Sequence, residues 1–170
     1  MKYLCCAMLV STLGGCASSV VVVRIPAEQV PRSAQGQQRA EVKVNDLRAP
    51  GIAASTREAA FGVPMGTITF DPPERQLVKD AIERALAARQ QTQAPSPAET
   101  VVCDILEFGV NTVTTPLYWD VVGVIRLNLK RNGREQTLAG THTERTYLWP
   151  GEDVIRRVVQ ESLRQATQAL

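Results

Sequence analysis

The side chains able to do chemistry are few and scattered along this chain. The one histidine, His142, lies in Thr141-His142-Thr143-Glu144-Arg145, where alternation predicts a strand and puts it at an exposed or edge position. A general base at His142 needs a nucleophile within hydrogen-bond reach, and no serine or cysteine adjoins it in sequence. The stronger reading is a structural histidine, and an envelope hydrolase or lipid-handling enzyme using His142 stands as the alternative. Of four cysteines, Cys5 and Cys6 fall in an apolar N-terminal run, which leaves Cys16 and Cys103. Cys103, inside Thr100-Val101-Val102-Cys103-Asp104-Ile105, reads as a small buried apolar residue, with an intermolecular bridge as the alternative. This supply of thiols and imidazole writes no zinc site, and no Walker or dinucleotide pattern occurs, so neither metal nor cofactor is expected.

The carboxylates have bland explanations. Asp71 and Glu74 bracket two prolines where a helix should begin, and read as capping groups; Glu152 and Asp153 read as first-turn acids. Asp104, Glu107 and Asp120 are candidates for one sheet face, but sequence sets no separation between them and so supports no glycosidase-like pair. The aromatic residues are paired: Tyr118 and Trp119 enter a strand, Tyr147 and Trp149 leave one. They read first as caps on the core at the sheet ends, and second as an anchor patch for a protein or lipid partner, with Arg145 placed to stack on one of them. No residue is assigned a catalytic role. A formal charge of +2 over 170 residues, with no basic stripe, argues against nucleic acid as a partner.

The N-terminus has its own logic. Met1-Lys2 precedes an uncharged apolar run from Tyr3 to Leu13, followed by Leu13-Gly14-Gly15-Cys16: a positive start, a short apolar core and small residues before a cut. Those last four residues resemble, position by position, the bacterial lipobox. The resemblance implies that residues 1–15 are a signal peptide, and that Cys16 becomes the first mature residue and carries a diacylglycerol and an amide-linked acyl chain such as palmitate. Two or three chains hold a protein on a bilayer where one holds it only marginally. Ala17 is not the aspartate that marks inner-membrane retention in enteric bacteria, so the resemblance implies an outer-membrane anchor facing the periplasm. The alternative is an uncleaved signal anchor over Tyr3 to Val23, long enough to span a bilayer. Thr12, Gly14, Gly15, Ser18 and Ser19 interrupt it, and Val20 to Val23 is β-branched and strand-like.

Behind the anchor, residues 16–38 read as a linker with a first strand or extended lead-in at Val20 to Ile25, and residues 39–170 as one domain. Arg39 to Leu47 alternates as a half-buried strand and ends in the Pro50-Gly51 turn. Residues 52–66 carry little periodicity, and Thr67 to Phe70 is a short extended piece. A helix is expected from Asp71-Pro72-Pro73-Glu74 to about Gln90, with Leu77, Val78, Ala81, Ile82, Ala85 and Leu86 on one face. After a polar connector at 90–98, strands are expected at 100–110, 118–130 and 135–148, the last two joined by a type I′ turn at Asn132-Gly133. A second amphipathic helix follows Trp149-Pro150-Gly151-Glu152-Asp153. The expected class is α+β: a mainly antiparallel sheet of about four to five strands with two amphipathic helices on one face.

The lipobox, the strand closing in Val44-Asn45-Asp46-Leu47-Arg48, the helix after Asp71-Pro72-Pro73-Glu74 and the final Pro150-Gly151-Glu152-Asp153 helix together resemble the YajG-type envelope lipoproteins, with Asp46-x-Arg48 the nearest match. The stretch from Gly51 to Gly66 departs from that pattern. The resemblance implies a periplasm-facing domain and transfers no catalytic residue. A looser likeness is to the auxiliary lipoproteins of ABC transporters and of lipopolysaccharide assembly, which share the plan of anchor plus small α+β domain. The expected function is therefore a non-enzymatic adaptor or accessory subunit in envelope assembly or transport, bound to the membrane through Cys16 and to an envelope protein partner.

Overall fold

The computed structural model of the chain describes residues 19–26, 40–49, 55–59, 63–90 and 100–170. The expected signal peptide, Cys16, the expected first linker beyond Pro26, and the expected Pro50-Gly51 turn and 91–98 connector lie outside these residues. The described elements are β1 (Ser19–Arg24), β2 (Glu41–Asp46), β3 (Ser55–Glu58), β4 (Pro64–Asp71), α1 (Glu74–Gln90), β5 (Thr100–Thr114), β6 (Trp119–Arg131), β7 (Arg134–Thr146) and α2 (Glu152–Thr167).

The expected α+β class with two helices is found, but the sheet is larger than expected and mixed. Seven strands form one sheet in the order β1-β4-β3-β5-β6-β7, with β2 pairing β5 beside this path. The β5-β6-β7 meander and the β3–β4 pair are antiparallel, whereas β1 joins β4, and β2 and β3 join β5, in parallel. The missed strand is β3. Its Ser-Thr-Arg-Glu sequence is polar, yet Ser55 and Arg57 face inward and are buried, so hydrophobic alternation gives no signal there. The parallel partners were invisible for another reason: their hydrogen bonds join segments more than forty residues apart, and no local turn announces them.

Local chemistry accounts for the rest. Asn132 and Gly133 both take positive φ (50° and 72°), and join β6 to β7 as the type I′ turn requires. Strand β5 keeps Val101, Cys103 and Ile105 inward, shifts register past Leu106, and resumes with Phe108, Val110 and Thr112 inward. The bulge lets one long strand serve two neighbours, β2 along its first half and β3 along its second. Asp71 does not cap α1: it belongs to β4, and the Pro73 carbonyl accepts the first helical N–H bonds, from Gln76 and Leu77. Glu74 instead faces Arg48, 3.7 Å away.

Both helices contribute to one core, with Leu77, Val78, Ile82 and Leu86 from α1 and Val154, Ile155, Val158, Val159 and Leu163 from α2, against Val23, Phe70, Phe108, Ile125, Leu127 and Leu138 of the sheet. At about 1.5–3 kcal/mol per large side chain, this burial explains the two apolar stripes without a ligand. Helix α2 approaches β6 and β7 so closely that a Cβ at Gly123 would lie 2.7 Å from Ser162 Oγ, and one at Gly140 would be 2.6 Å from the Ala166 nitrogen.

The strand directions decide what gathers at each end. Strands β3, β5 and β7 end on the same side of the sheet on which β1, β4 and β6 begin. The start of β1, the end of β3, the start of β4, the β5–β6 turn and the β7–α2 link therefore share one end.

Candidate functional site

That end carries the four aromatic residues singled out in the sequence. The Thr115–Tyr118 turn is held by its own threonine: Thr115 Oγ1 donates to the Tyr118 carbonyl at 2.8 Å and accepts the Tyr118 amide at 3.0 Å. Across the sheet, Thr146 Oγ1 similarly donates to the Leu148 carbonyl at 3.0 Å. These two short links bring residues distant in sequence into pairs. Tyr118 meets Tyr147 edge-to-face at 6.4 Å, and Trp119 meets Trp149 edge-to-face at 5.9 Å.

Strand parity sends the two pairs to opposite faces. Asp120 and Arg145 face away from the helices, where Arg145 lies 3.8 Å over the Tyr118 ring and donates to both Asp120 oxygens at 2.9 and 3.1 Å. That hydrogen-bonded guanidinium holds the Asp120 carboxyl below its usual pKa. The expected stacking of Arg145 on an aromatic neighbour is thus present. On the helix side, Arg57 lies 4.6 Å over the Trp149 ring and donates through Nη2 to the Pro150 carbonyl at 2.9 Å. Arg57 is nine-tenths buried and has no carboxylate partner among the described residues; burial lowers its pKa from the ordinary arginine value, but it stays charged at neutral pH. Its Nε and the Trp119 Nε1 are buried without hydrogen-bond partners among the described residues.

The aromatic residues do not simply cap the core. Tyr147 is 70% exposed and Trp149 43%, and they stand with Leu117 and Leu148, each 78% exposed. Val63 and Met65, at the β3–β4 connection, add exposed apolar surface to the same end. Tryptophan, tyrosine and arginine are the residue types most enriched at the centres of protein interfaces, and here they stand beside exposed leucines. Leu117, Leu148 and Arg57 were not singled out in sequence. The polar context of β3 hid Arg57, and no periodicity marks a leucine in a turn.

The other candidates are dispersed. His142 sits on the edge strand β7, as expected, and turns toward α2. It lines an open groove of about 740 Å³ with Glu144, Arg157, Gln160, Glu161 and Arg164 on one side and Ile25, Leu77 and Ala81 on another. No serine or cysteine is among the described residues lining it. Among the described residues three carboxylates line it, and each accepts a hydrogen bond: Glu144 from Arg157, Glu161 from Arg164 Nε at 2.8 Å, and Asp80 from the Gln76 amide at 2.7 Å. The Arg164 hydrogen bonds, joined by one from Gln165, hold the half-buried Glu161 carboxyl down to about 2. Asp104, Glu107 and Asp120 all lie on the sheet face away from the helices but do not meet, and Asp104 is buried there. Asp104 accepts from Asn45 and faces Lys130, both at 2.9 Å, Glu107 pairs with Arg126 at 2.8 Å, and Asp120 belongs to Arg145. Cys103 is fully buried, a free thiol. No cluster of three metal-ligating side chains occurs among the described residues, and no helix among them is long and apolar enough to cross a membrane.

Asp46 and Arg48, the pair singled out in the sequence, form a brace within the fold. Arg48 pairs with Asp46 through two nitrogens, and donates through Nη1 to the Phe108 carbonyl at 3.1 Å, just past the β5 bulge.

No family model and no curated relative matches the chain. A solved structure described as "Crystal structure of uncharacterized protein" is similar over 89% of this chain and 97% of its own, at 9% identity and a TM-score of 0.48.

Proposed function

We propose that the chain is a lipid-anchored envelope lipoprotein of the YajG-like kind, tethered through Cys16 to the periplasmic face of the outer membrane. Its domain acts as a non-enzymatic adaptor or accessory subunit in envelope assembly or transport. The observation that carries the reading is the concentration of exposed aromatic and leucine side chains at one end of the sheet, while no serine or cysteine is among the described residues lining the His142 groove. The β7 edge is a second contact surface, because an edge strand can pair with an extended segment of a partner at little conformational cost. A partner engaged this way needs no catalytic residue in the adaptor.

Two measurements test this. Cys16→Ser should abolish fatty-acid labelling and detergent-phase partitioning, and a mature protein with an unmodified N-terminus would sink the anchored reading. His142→Ala should leave every envelope phenotype intact, and loss of function in that variant with the fold preserved would favour the enzyme instead.

A further inference from the structure

We infer that the aromatic end of the sheet seats on the surface of the phospholipid bilayer, with Trp149, Tyr147, Leu148 and Leu117 in the interface. The inference rests on the anchored reading of Cys16 and names what this end of the domain touches.

On that reading the tether joins the fold at Ser19, the first residue of β1. Ser19 pairs with Gly66, and Gly66 pairs with Arg57, the residue beneath Trp149. Two strand spacings separate Ser19 from Arg57, roughly 10 Å. Cys16 lies three residues before Ser19, and three residues of chain reach at most about 10 Å. An acylated Cys16 therefore cannot hold the domain far from the membrane, nor can it leave from the opposite end of the sheet. The end it leaves from is the one with exposed Leu117, Tyr147, Leu148 and Trp149, and with Met65 next to Gly66 in β4.

The chemistry of that end fits a bilayer interface. Tyrosine and tryptophan concentrate where one side of a ring is apolar and the other wet, and leucines beside them gain by entering the acyl boundary. The charged side chains at the ends of these strands, Arg57, Glu58, Asp120 and Arg145, sum to zero, and Arg145 is tied to Asp120. Contact would therefore be driven by apolar burial, and depend little on anionic lipid or on salt. This orientation leaves the β7 edge and the helix face turned away from the membrane, free for a protein partner.

The chain supplies its own reporter, since its two tryptophans, Trp119 and Trp149, both stand at this end. Trp119→Phe leaves Trp149 as the single emitter and removes an indole nitrogen that has no hydrogen-bond partner among the described residues. The lipidated protein would be reconstituted into phosphatidylethanolamine–phosphatidylglycerol vesicles, with and without bromine on the acyl chains. The emission should shift to the blue and lose most of its intensity to the brominated lipid, equally at low and high salt. Replacing Leu117 and Leu148 by glutamate should restore it while the protein still floats with the vesicles. Flotation with unquenched Trp149 overturns the seating and leaves the anchor standing. An N-terminus without lipid overturns both. A photoreactive residue at Tyr147 that crosslinks in cells to a protein instead of to phospholipid also overturns the seating.

Discussion

The Arg48 guanidinium grips the Asp46 carboxylate two residues away, with Nη2 2.6 Å from Oδ2 and Nε 2.8 Å from Oδ1. Its other terminal nitrogen reaches the Phe108 carbonyl at 3.1 Å and faces Glu74 at 3.7 Å. One side chain thus ties the end of β2 to the strand beyond the β5 bulge and to the start of α1. Its side chain is 8% exposed, so the contacts work at reduced solvent screening.

Arg48→Met should therefore destabilise the domain by about 2–3 kcal/mol, since it leaves the half-buried Asp46 without its cation. The Arg48 hydrogen bonds hold the Asp46 carboxyl below its usual pKa. A carboxyl lowered by folding stabilises fully above its unfolded value, about 3.9, and the contribution is lost as pH falls through the lower native value. Urea unfolding of the two proteins should differ by a constant amount above about pH 5, and the gap should narrow in stronger acid to what the Phe108 carbonyl contact contributes. A gap of unchanged size at low pH would contradict the pairing.

The glycines under α2 should rank by what a methyl group meets. At Gly140 it would overlap the Ser162 carbonyl oxygen, which belongs to helix backbone and cannot step aside, so Gly140→Ala should cost about 3 kcal/mol. At Gly123 it meets the side chains of Ser162 and Val158, which can shift in part, and the loss should be smaller. Gly109 has nothing within 4 Å, so Gly109→Ala should be neutral or stabilise by about 0.5 kcal/mol. Thermal denaturation of the three variants checks the order, and equal effects at positions 140 and 109 would contradict the close helix approach.

Burial pushes the Cys103 thiol up to about 12, so it carries almost no thiolate at neutral pH. The folded protein should resist thiol-specific alkylation for as long as it stays folded, and react in denaturant. Fast labelling of the native protein at Cys103, or a dimer released by reductant, would show that this residue is accessible after all.

Much of the domain was legible from residues alone, and the reason is locality. Helix α2, the Asn132-Gly133 hairpin and the apolar face of α1 each follow from side chains within a few positions of one another, where period and turn chemistry act directly. The histidine on an edge strand and the buried Cys103 follow from the same alternation. What escaped was non-local or ran against hydrophobic pattern: polar β3, with Arg57 under Trp149, and Asp71, which pairs with β1 instead of capping a helix.

The amino-acid sequence by itself determined the two helices, the β6–β7 hairpin and a lipobox-like Leu13-Gly14-Gly15-Cys16 ahead of the domain. Tertiary structure alone decided that β1 runs parallel to β4, and so starts on the side where Tyr118 meets Tyr147 and Trp119 meets Trp149. The physical reason is that strand direction within a sheet is set by hydrogen bonds between remote segments and by the core they jointly enclose, and neither leaves a mark on the spacing of neighbouring residues.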